Sequence, residues 1–87
     1  MEGKGISYFN SYRYEGDFKN GKFEGKGIAY FNDGDRYEGD WKNNKEEGKG
    51  IFYYANGDRE IGDFKDGKKI GKHVILYKNG EVETKNY

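Results

Sequence analysis

The chain has 87 residues, of which 37% are charged, 32% hydrophobic and 18% aromatic, with fifteen glycines and no proline. This length makes one domain at most, and nine tyrosines, six phenylalanines and one tryptophan are too many aromatic residues for a disordered chain. Sixteen basic and sixteen acidic residues give a net charge of zero, so no overall positive field attracts nucleic acid. Without cysteine there is no disulfide and no thiolate site.

A repeat of 23 residues organises the chain, with two close copies followed by a third that carries several replacements. A partial copy precedes them, displaced by 22 residues rather than 23. Terminal repeats have only one neighbour to pack on, so we interpret the third copy as a cap. The predicted array covers residues 2–82 and consists of a half repeat (2–13), two repeats (14–36 and 37–59) and a degenerate capping repeat (60–82), followed by a short tail (83–87).

Two turn signals divide each repeat into two short strands. In the first full copy they are Asn20-Gly21 and Asp33-Gly34, and the later copies carry Asn43-Asn44, Asn56-Gly57, Asp66-Gly67 and Asn79-Gly80 at the same positions. Gly, Asn and Asp tolerate the positive φ angles of tight hairpin turns. We therefore predict an all-β fold, a single-layer antiparallel β-hairpin solenoid of about three and a half repeats.

The odd period constrains the register, because side chains along a strand alternate between the faces with period two. One turn in each repeat must have an odd length or carry a bulge, and we place it at Lys19-Asn20-Gly21. The predicted core face then contains Tyr14, Gly16, Phe18, Ile28, Tyr30, Tyr37, Gly39, Trp41, Ile51, Tyr53, Gly62, Phe64, Val74 and Leu76. The opposite face keeps four surplus aromatic residues, Phe31, Phe52, Tyr54 and Tyr77.

Glycines recur beside the aromatic positions in every copy. A glycine in a strand marks a place where a ring or another backbone approaches closely. The residues expected to be structural are Tyr14, Gly16, Phe18, Gly25, Gly27, Tyr37, Gly39, Trp41, Gly48, Gly50, Gly62, Phe64 and Gly71.

Residues for catalysis are scarce. His73 is the only histidine, and Ser7, Ser11 and Thr84 are the only aliphatic hydroxyls, so no nucleophile with a base and an orienting acid is assembled. Paired carboxylates such as Glu15 and Asp17 recur with the repeat, which favours solvated cross-strand pairs over a catalytic pair that is needed once. We predict a protein that is not an enzyme and binds neither a cofactor nor a metal.

The repeated motif Tyr-Glu-Gly-Asp-(Phe/Trp)-Lys-Asn-Gly-Lys, followed by Gly-Lys-Gly and an aliphatic-aromatic strand, resembles the MORN repeat (membrane occupation and recognition nexus). The resemblance extends over residues 2–82. The third copy departs from it, with Glu60 in place of Tyr and His73 in place of the second Gly. The resemblance implies an elongated array of hairpins that serves as a scaffold or interaction module, with phospholipid binding and fusion to catalytic domains in some members.

We expect a scaffold that binds a protein partner through Phe31, Phe52, Tyr54 and Tyr77, without nucleic acid. The terminal strand edges, Gly3 to Phe9 and the segment near Val82, offer pairing between copies of the chain as a homo-oligomer. One alternative is a peripheral membrane tether that binds anionic phospholipids through Lys49, Lys65, Lys68, Lys69 and Lys72. Another is an accessory module of a larger enzyme. Because the amino terminus lacks an apolar signal segment, the expected location is the cytoplasm, at its membrane surface in the tether alternative.

Overall fold

A computed structural model describes residues 2–87, which form eight strands and no helix. The strands are β1 (Gly3–Tyr8), β2 (Tyr12–Lys19), β3 (Lys22–Phe31), β4 (Arg36–Lys42), β5 (Lys45–Tyr53), β6 (Arg59–Lys65), β7 (Lys68–Leu76) and β8 (Val82–Asn86). Each strand pairs antiparallel with the next, so the order in the sheet is the order in the chain. The predicted all-β sheet of successive hairpins is confirmed, and the array measures 41 × 24 × 17 Å.

The segment predicted as a tail, residues 83–87, continues this sheet. Residues 83–86 of this segment form β8 together with Val82, and Thr84 lies opposite Val74. This pairing repeats that of Ile28 with Glu38 two hairpins earlier. The segment therefore begins a further repeat in the same register.

The first turn of each repeat is a two-residue loop. Lys19 lies opposite Lys22, which leaves Asn20 and Gly21 at the tip with φ angles of 52° and 76°. Two successive residues with positive φ are typical of a type I′ turn. This loop has an even length, so the prediction that the odd loop length or bulge lies at Lys19-Asn20-Gly21 is wrong.

The second turn carries the odd residue instead. The amide of Phe31 donates to the carbonyl of Asp35 at 2.9 Å, which closes a three-residue loop. Only Gly34 within this loop has a positive φ, 97°. This is the three-residue hairpin with a bulge at its glycine.

A second irregularity lies inside the first hairpin and does not alter the faces. Gly16 is opposite Gly27 and Phe18 is opposite Phe23, so three residues of β3 stand against one residue of β2. The two additional residues form an even insertion, and Gly25 accommodates it with a φ of 84°. Side chains on both sides of the bulge therefore keep the same face.

Moving the odd residue to the other turn reverses the faces of the second strand in each repeat. The predicted core positions Ile28, Tyr30, Ile51, Tyr53, Val74 and Leu76 lie on the face opposite Tyr14, and their assignment to the core face is wrong. Tyr14 lies opposite Ala29, and Tyr37 lies between Ala29 and Phe52. The core face carries Phe23, Ala29, Phe31, Phe52 and Ile75 in place of those six residues.

Aromatic rings fill the core. Its buried residues are Tyr14, Phe18, Phe23, Ala29, Tyr37, Trp41 and Phe64. Tyr14 stacks on Phe23 with the ring centroids 3.8 Å apart, and Trp41 meets Tyr14 edge-on at 5.1 Å. Each such pair contributes about 0.5–1.5 kcal/mol beyond the area that it buries.

Tyr14 is buried within a single sheet because its ring lies over two glycines. A Cβ on Gly27 would lie 2.3 Å from the Tyr14 hydroxyl, and a Cβ on Gly16 would lie 2.4 Å from the Cα of Gly27. The hydroxyl donates to the carbonyl of Asp17 at 2.8 Å, and burial raises its pKa to about 12. Tyr37 has the same arrangement in the next repeat.

Each repeat also caps a turn of the following repeat. A glutamate side chain accepts a hydrogen bond from the backbone amide of the turn one repeat later, at 2.9 Å in the second and third cases. The pairs are Glu2 with Asn20, Glu24 with Asn43 and Glu47 with Asp66. The third repeat has Ile70 at this position and presents no carboxylate to a turn beyond it.

We expect Gly39→Ala to destabilise the chain severely, because the new Cβ would lie 2.6 Å from the Cα of Gly50. Overpacking of this kind costs about 3 kcal/mol. The control Gly71→Ala has a strained φ of 68° with no heavy atom within 4 Å, and its expected cost is about 1 kcal/mol. Urea unfolding measures both values, and equal losses would contradict the close-contact role of Gly39.

Candidate functional site

The face opposite the core carries a groove of about 580 Å³. Cross-strand pairing sets Glu38 between Ile28 and Ile51, and then Ile61 beside Ile51. The glycines that pack against the tyrosine rings on the core face also line the groove, where their backbone is not covered by side chains. The groove is lined by Glu15, Gly16, Lys26, Gly27, Ile28, Glu38, Gly39, Lys49, Gly50, Ile51 and Ile61.

Three rows of side chains run along the groove face from strand to strand. The isoleucine row consists of Ile6, Glu15, Ile28, Glu38, Ile51, Ile61, Val74 and Thr84. The arginine row consists of Tyr8, Arg13, Tyr30, Arg36, Tyr53, Arg59, Leu76 and Val82. The lysine row consists of Lys4, Asp17, Lys26, Asp40, Lys49 and Asp63.

The isoleucine row offers apolar contacts at a regular interval. Neighbouring strands lie about 4.8 Å apart, so residues two strands apart, such as Ile28 and Ile51, recur about every 10 Å. Ile6 is 46% exposed and Ile61 is 40% exposed. The row is therefore open to solvent along the groove.

Arginine and tyrosine side chains alternate in the arginine row. The guanidinium of Arg13 lies 4.2 Å from the ring centroid of Tyr30, and that of Arg36 lies 3.9 Å from Tyr53. Arg36 is also 3.6 Å from Glu38, a surface pair of the kind that contributes at most about 1 kcal/mol. Both distances are within the range of a cation–π interaction.

The lysine row is electrically balanced. Lys4 pairs with Asp17 at 2.9 Å, and Lys49 pairs with Asp63 at 3.7 Å. The hydrogen bond from Lys4, followed by that from the backbone of Lys26, holds the pKa of Asp17 below its ordinary value. Lys49, predicted to bind lipid, therefore lies beside a carboxylate.

The four aromatic residues predicted to bind a partner do not form a separate face. Phe31 and Phe52 share the core face and pack against the core, with their ring centroids 6.0 Å apart. Tyr54 lies 4.9 Å from Phe52, and the Tyr77 hydroxyl donates to Glu83 at 2.8 Å. Phe31 and Phe52 lie on the core face, so their assignment to a second face is wrong. All four are partly buried by the chain itself, and their binding of a partner stays a prediction.

In the third repeat, His73 takes over the role of the seated tyrosine. Its ring fills the space over Gly62, where a Cβ would lie 2.4 Å from the imidazole. Its Nε2 lies 2.9 Å from the carbonyl oxygen of Asp63, which is the counterpart of Asp17. The ring over the glycine thus comes from β7 rather than from β6.

Glu60, which replaces the tyrosine of this repeat, is buried beside His73. Its carboxylate accepts hydrogen bonds from Tyr87 at 2.8 Å and Tyr54 at 3.0 Å. Lys69 donates to it at 3.1 Å, and His73 Nδ1 lies 2.9 Å from it without a well-directed hydrogen bond. Burial raises the pKa of Glu60, but the hydrogen bonds from Tyr87, Lys69 and Tyr54 outweigh it and hold the pKa below its ordinary value.

The lysines predicted to bind lipid are separated by the fold. Lys69 is engaged with the buried Glu60, whereas Lys72 lies on the groove face opposite Asn86. Lys65 and Lys68 face each other across the Asp66-Gly67 turn. Equivalent lysine pairs flank the two earlier turns, and together they form a lysine edge of Lys19, Lys22, Lys42, Lys45, Lys65 and Lys68.

The sequence reasoning missed the groove face as a candidate site. The sequence feature that could have indicated it is the recurrence of an isoleucine, Ile28 and then Ile51, one residue before a core-face residue. Among residues 2–87 no group of three His, Asp or Glu side chains is arranged to hold a metal ion. The same residues contain no helix long and apolar enough to cross a membrane.

One open sheet of repeated hairpins, with a ring seated over glycine in each repeat, defines a single-layer β-repeat protein. The sequence model of the MORN repeat matches residues 14–36 and 37–59, which is more than half of the chain. The chain belongs to the MORN repeat family, whose repeats occur in modules for protein and membrane interaction. A comparison with curated proteins finds no match.

We expect the two replacements in the third repeat to depend on each other. His73→Gly removes a buried ring and should cost about 3 kcal/mol, and Glu60→Tyr brings a second ring towards the space that His73 fills. The double variant recreates the arrangement of Tyr37 over Gly50, so it should lose less than the sum of the two single losses by more than about 1 kcal/mol. Chemical unfolding of the four proteins tests this, and additive losses would contradict it.

Proposed function

We propose that this chain is a non-enzymatic scaffold that binds a protein segment along the groove. The observation that supports this most is the isoleucine row, a line of part-exposed apolar side chains that recurs with the repeat. Exposed apolar side chains grouped with a few polar groups are typical of interaction sites. Glu15 and Glu38 alternate with the isoleucines of this row and lie beside arginines, so we assign them to binding rather than to catalysis.

The arginine row adds specificity to this proposal. Arginine and tyrosine are enriched among the residues that contribute most to binding energy. Arg13 and Arg36 contact the rings of Tyr30 and Tyr53, and we expect these contacts to order the arginines before a partner binds. Ordered side chains lose less conformational entropy when they bind.

These rows define the chemistry of the partner. Apolar side chains about 10 Å apart correspond to every third residue of a polyproline II segment or every seventh residue of a helix. Carboxylates on one side of that segment would meet the arginine row. The partner is therefore an elongated segment with regularly spaced apolar residues and an acidic flank.

The test selects peptides from a displayed random library on the wild-type chain and then measures their affinity for Ile51→Asp. We expect binding at least about tenfold weaker than to the wild type, because a carboxylate replaces the centre of the isoleucine row. Ile70→Asp is the matched control, since Ile70 is 41% exposed and does not line the groove. A library without selectable peptides, or equal losses in both variants, would contradict the proposal.

A second candidate is contact with an anionic membrane through the lysine edge. Six exposed lysines flank three successive turns on this edge, and each contributes about 1 kcal/mol near an anionic surface. Glu24, Glu47 and Asp66 lie on the same edge and offset part of this attraction. The candidate therefore ranks below the protein-binding groove.

Vesicle sedimentation with and without phosphatidylserine tests the membrane candidate. The variant Lys42→Gln/Lys45→Gln should reduce binding about 30-fold, whereas Lys26→Gln/Lys49→Gln removes two charges already paired with aspartates and should change it little. Added salt should weaken the binding of the wild-type chain. Absent or salt-independent binding would contradict this candidate.

A further inference from the structure

The third copy of the repeat differs from the first two on the groove face. In the first two copies each arginine of the arginine row has a glutamate partner two residues along the same strand. The pairs are Arg13 with Glu15 at 3.9 Å and Arg36 with Glu38 at 3.6 Å. The third copy has Ile61 at the position of the glutamate. Arg59 therefore lacks this partner, and within residues 2–87 its guanidinium group forms no ion pair.

Arg59 also lacks the aromatic contact of the two earlier arginines. It lies opposite Leu76 of β7, where the earlier copies have a tyrosine. The ring on its other side, Tyr53, is already in contact with Arg36 at 3.9 Å. Arg59 is exposed, whereas the two earlier arginines are half-buried. Its donors are therefore free to form charge-assisted hydrogen bonds with an anionic group, and no ion pair is broken when they do.

The lysine row changes in the same way at the third repeat. Its three earlier lysines lie opposite aspartates of the following strand. Lys72 lies opposite Asn86, which occupies the position of those aspartates and carries no charge. The groove face at the third repeat therefore has two cations, Arg59 and Lys72, without the carboxylates that balance their counterparts.

The replacement of glutamate by Ile61 also joins apolar residues that are separate elsewhere in the isoleucine row. In the earlier repeats Glu15 and Glu38 lie between the isoleucines. In the third repeat Ile61 lies between Ile51 and Val74, so three apolar residues are adjacent on neighbouring strands. This apolar patch of Ile51, Ile61 and Val74 spans about 10 Å, from strands about 4.8 Å apart. Ile61 at its centre is 40% exposed.

We infer that this end of the groove is the anchoring subsite for the partner segment, where the apolar patch binds a large apolar side chain and Arg59 binds a carboxylate beside it. Arg59 and Lys72 lie on opposite sides of the patch, and both attract an acidic residue. Glu15 and Glu38 repel a carboxylate in the earlier repeats. The partner therefore binds in one orientation, with its acidic residue over β6. The inference rests on the proposed groove function and adds the position of that residue.

A double-mutant cycle between the chain and a peptide tests the contact. The probes are the peptides selected on the wild-type chain, with each acidic residue replaced in turn by its amide. Arg59→Gln should weaken the binding of the acidic peptide at least about tenfold, because a hydrogen bond to a charged group is lost. One amide replacement should abolish most of this difference, since it removes the same contact. Isothermal titration calorimetry measures the affinities, and additive losses for every acidic residue, or selected peptides without an acidic residue, would overturn the inference.

An exchange variant recreates the earlier copies in the third repeat. Ile61→Glu gives Arg59 the glutamate that Arg36 has, interrupts the apolar patch, and should weaken the acidic peptide at least about tenfold. The matched control Ile70→Glu adds the same charge at a site that is 41% exposed and does not line the groove, so it should bind like the wild type. Both sites are exposed, and circular dichroism should show folded chains. Equal affinities of the two variants would contradict the subsite.

A spin label on the peptide tests the orientation. A nitroxide beside the acidic residue should broaden the amide signals of β6 and β7 in the NMR spectrum and leave those of β2 unchanged; equal broadening along the array would overturn the single orientation. A peptide that loses affinity with Ile51→Asp but not with Arg59→Gln would overturn the inference and leave the proposed groove function standing. Failure to select any peptide would contradict both.

Discussion

The packing of one aromatic ring against two glycines is the interaction on which the rest of this structure depends. A single sheet has no second layer to cover its apolar side chains, yet Tyr14 and Tyr37 are fully buried. They are buried because neighbouring strands omit side chains at Gly27 and Gly50, which lets each ring lie against backbone. Trp41 makes edge-to-face contacts with both tyrosines and so connects the packed ring of one repeat to that of the next.

The third repeat shows that the constraint concerns space and one hydrogen bond rather than residue type. His73 supplies the ring from the neighbouring strand, and its Nε2 reaches the carbonyl of Asp63 as tyrosine does elsewhere. As a result, the carboxylate of Glu60 occupies the position that tyrosine has in the other repeats. Burying a carboxylate costs free energy unless it accepts hydrogen bonds, and Lys69 is one of the groups that donate to Glu60. The capping repeat therefore retains a ring packed over glycine, and a buried polar network accommodates the replaced residue.

The period and the turn residues were sufficient to predict the sheet and its strand order, but not its faces. Both turns of a repeat contain Asn or Asp, with Gly in all but Asn43-Asn44, and a difference of one residue in loop length exchanges the faces. Hydrophobic alternation does not decide the question, because β3 has apolar residues on both faces, Ile28 on one and Ala29 on the other. The groove was missed for this reason. The pairing of Glu60 with His73 depends on contact between two strands, which neither replacement reveals alone.

The glutamate caps give the array a direction. Glu24 belongs to an earlier repeat than Asn43, whose amide it caps, and Glu47 likewise precedes Asp66. During synthesis the acceptor therefore emerges from the ribosome before the donor that it will meet, about one repeat later. Every completed hairpin is a template for its successor, and the partners are separated by only 19 residues in the chain. A sheet with this polarity can be built vectorially, in the order of translation, without waiting for its far end.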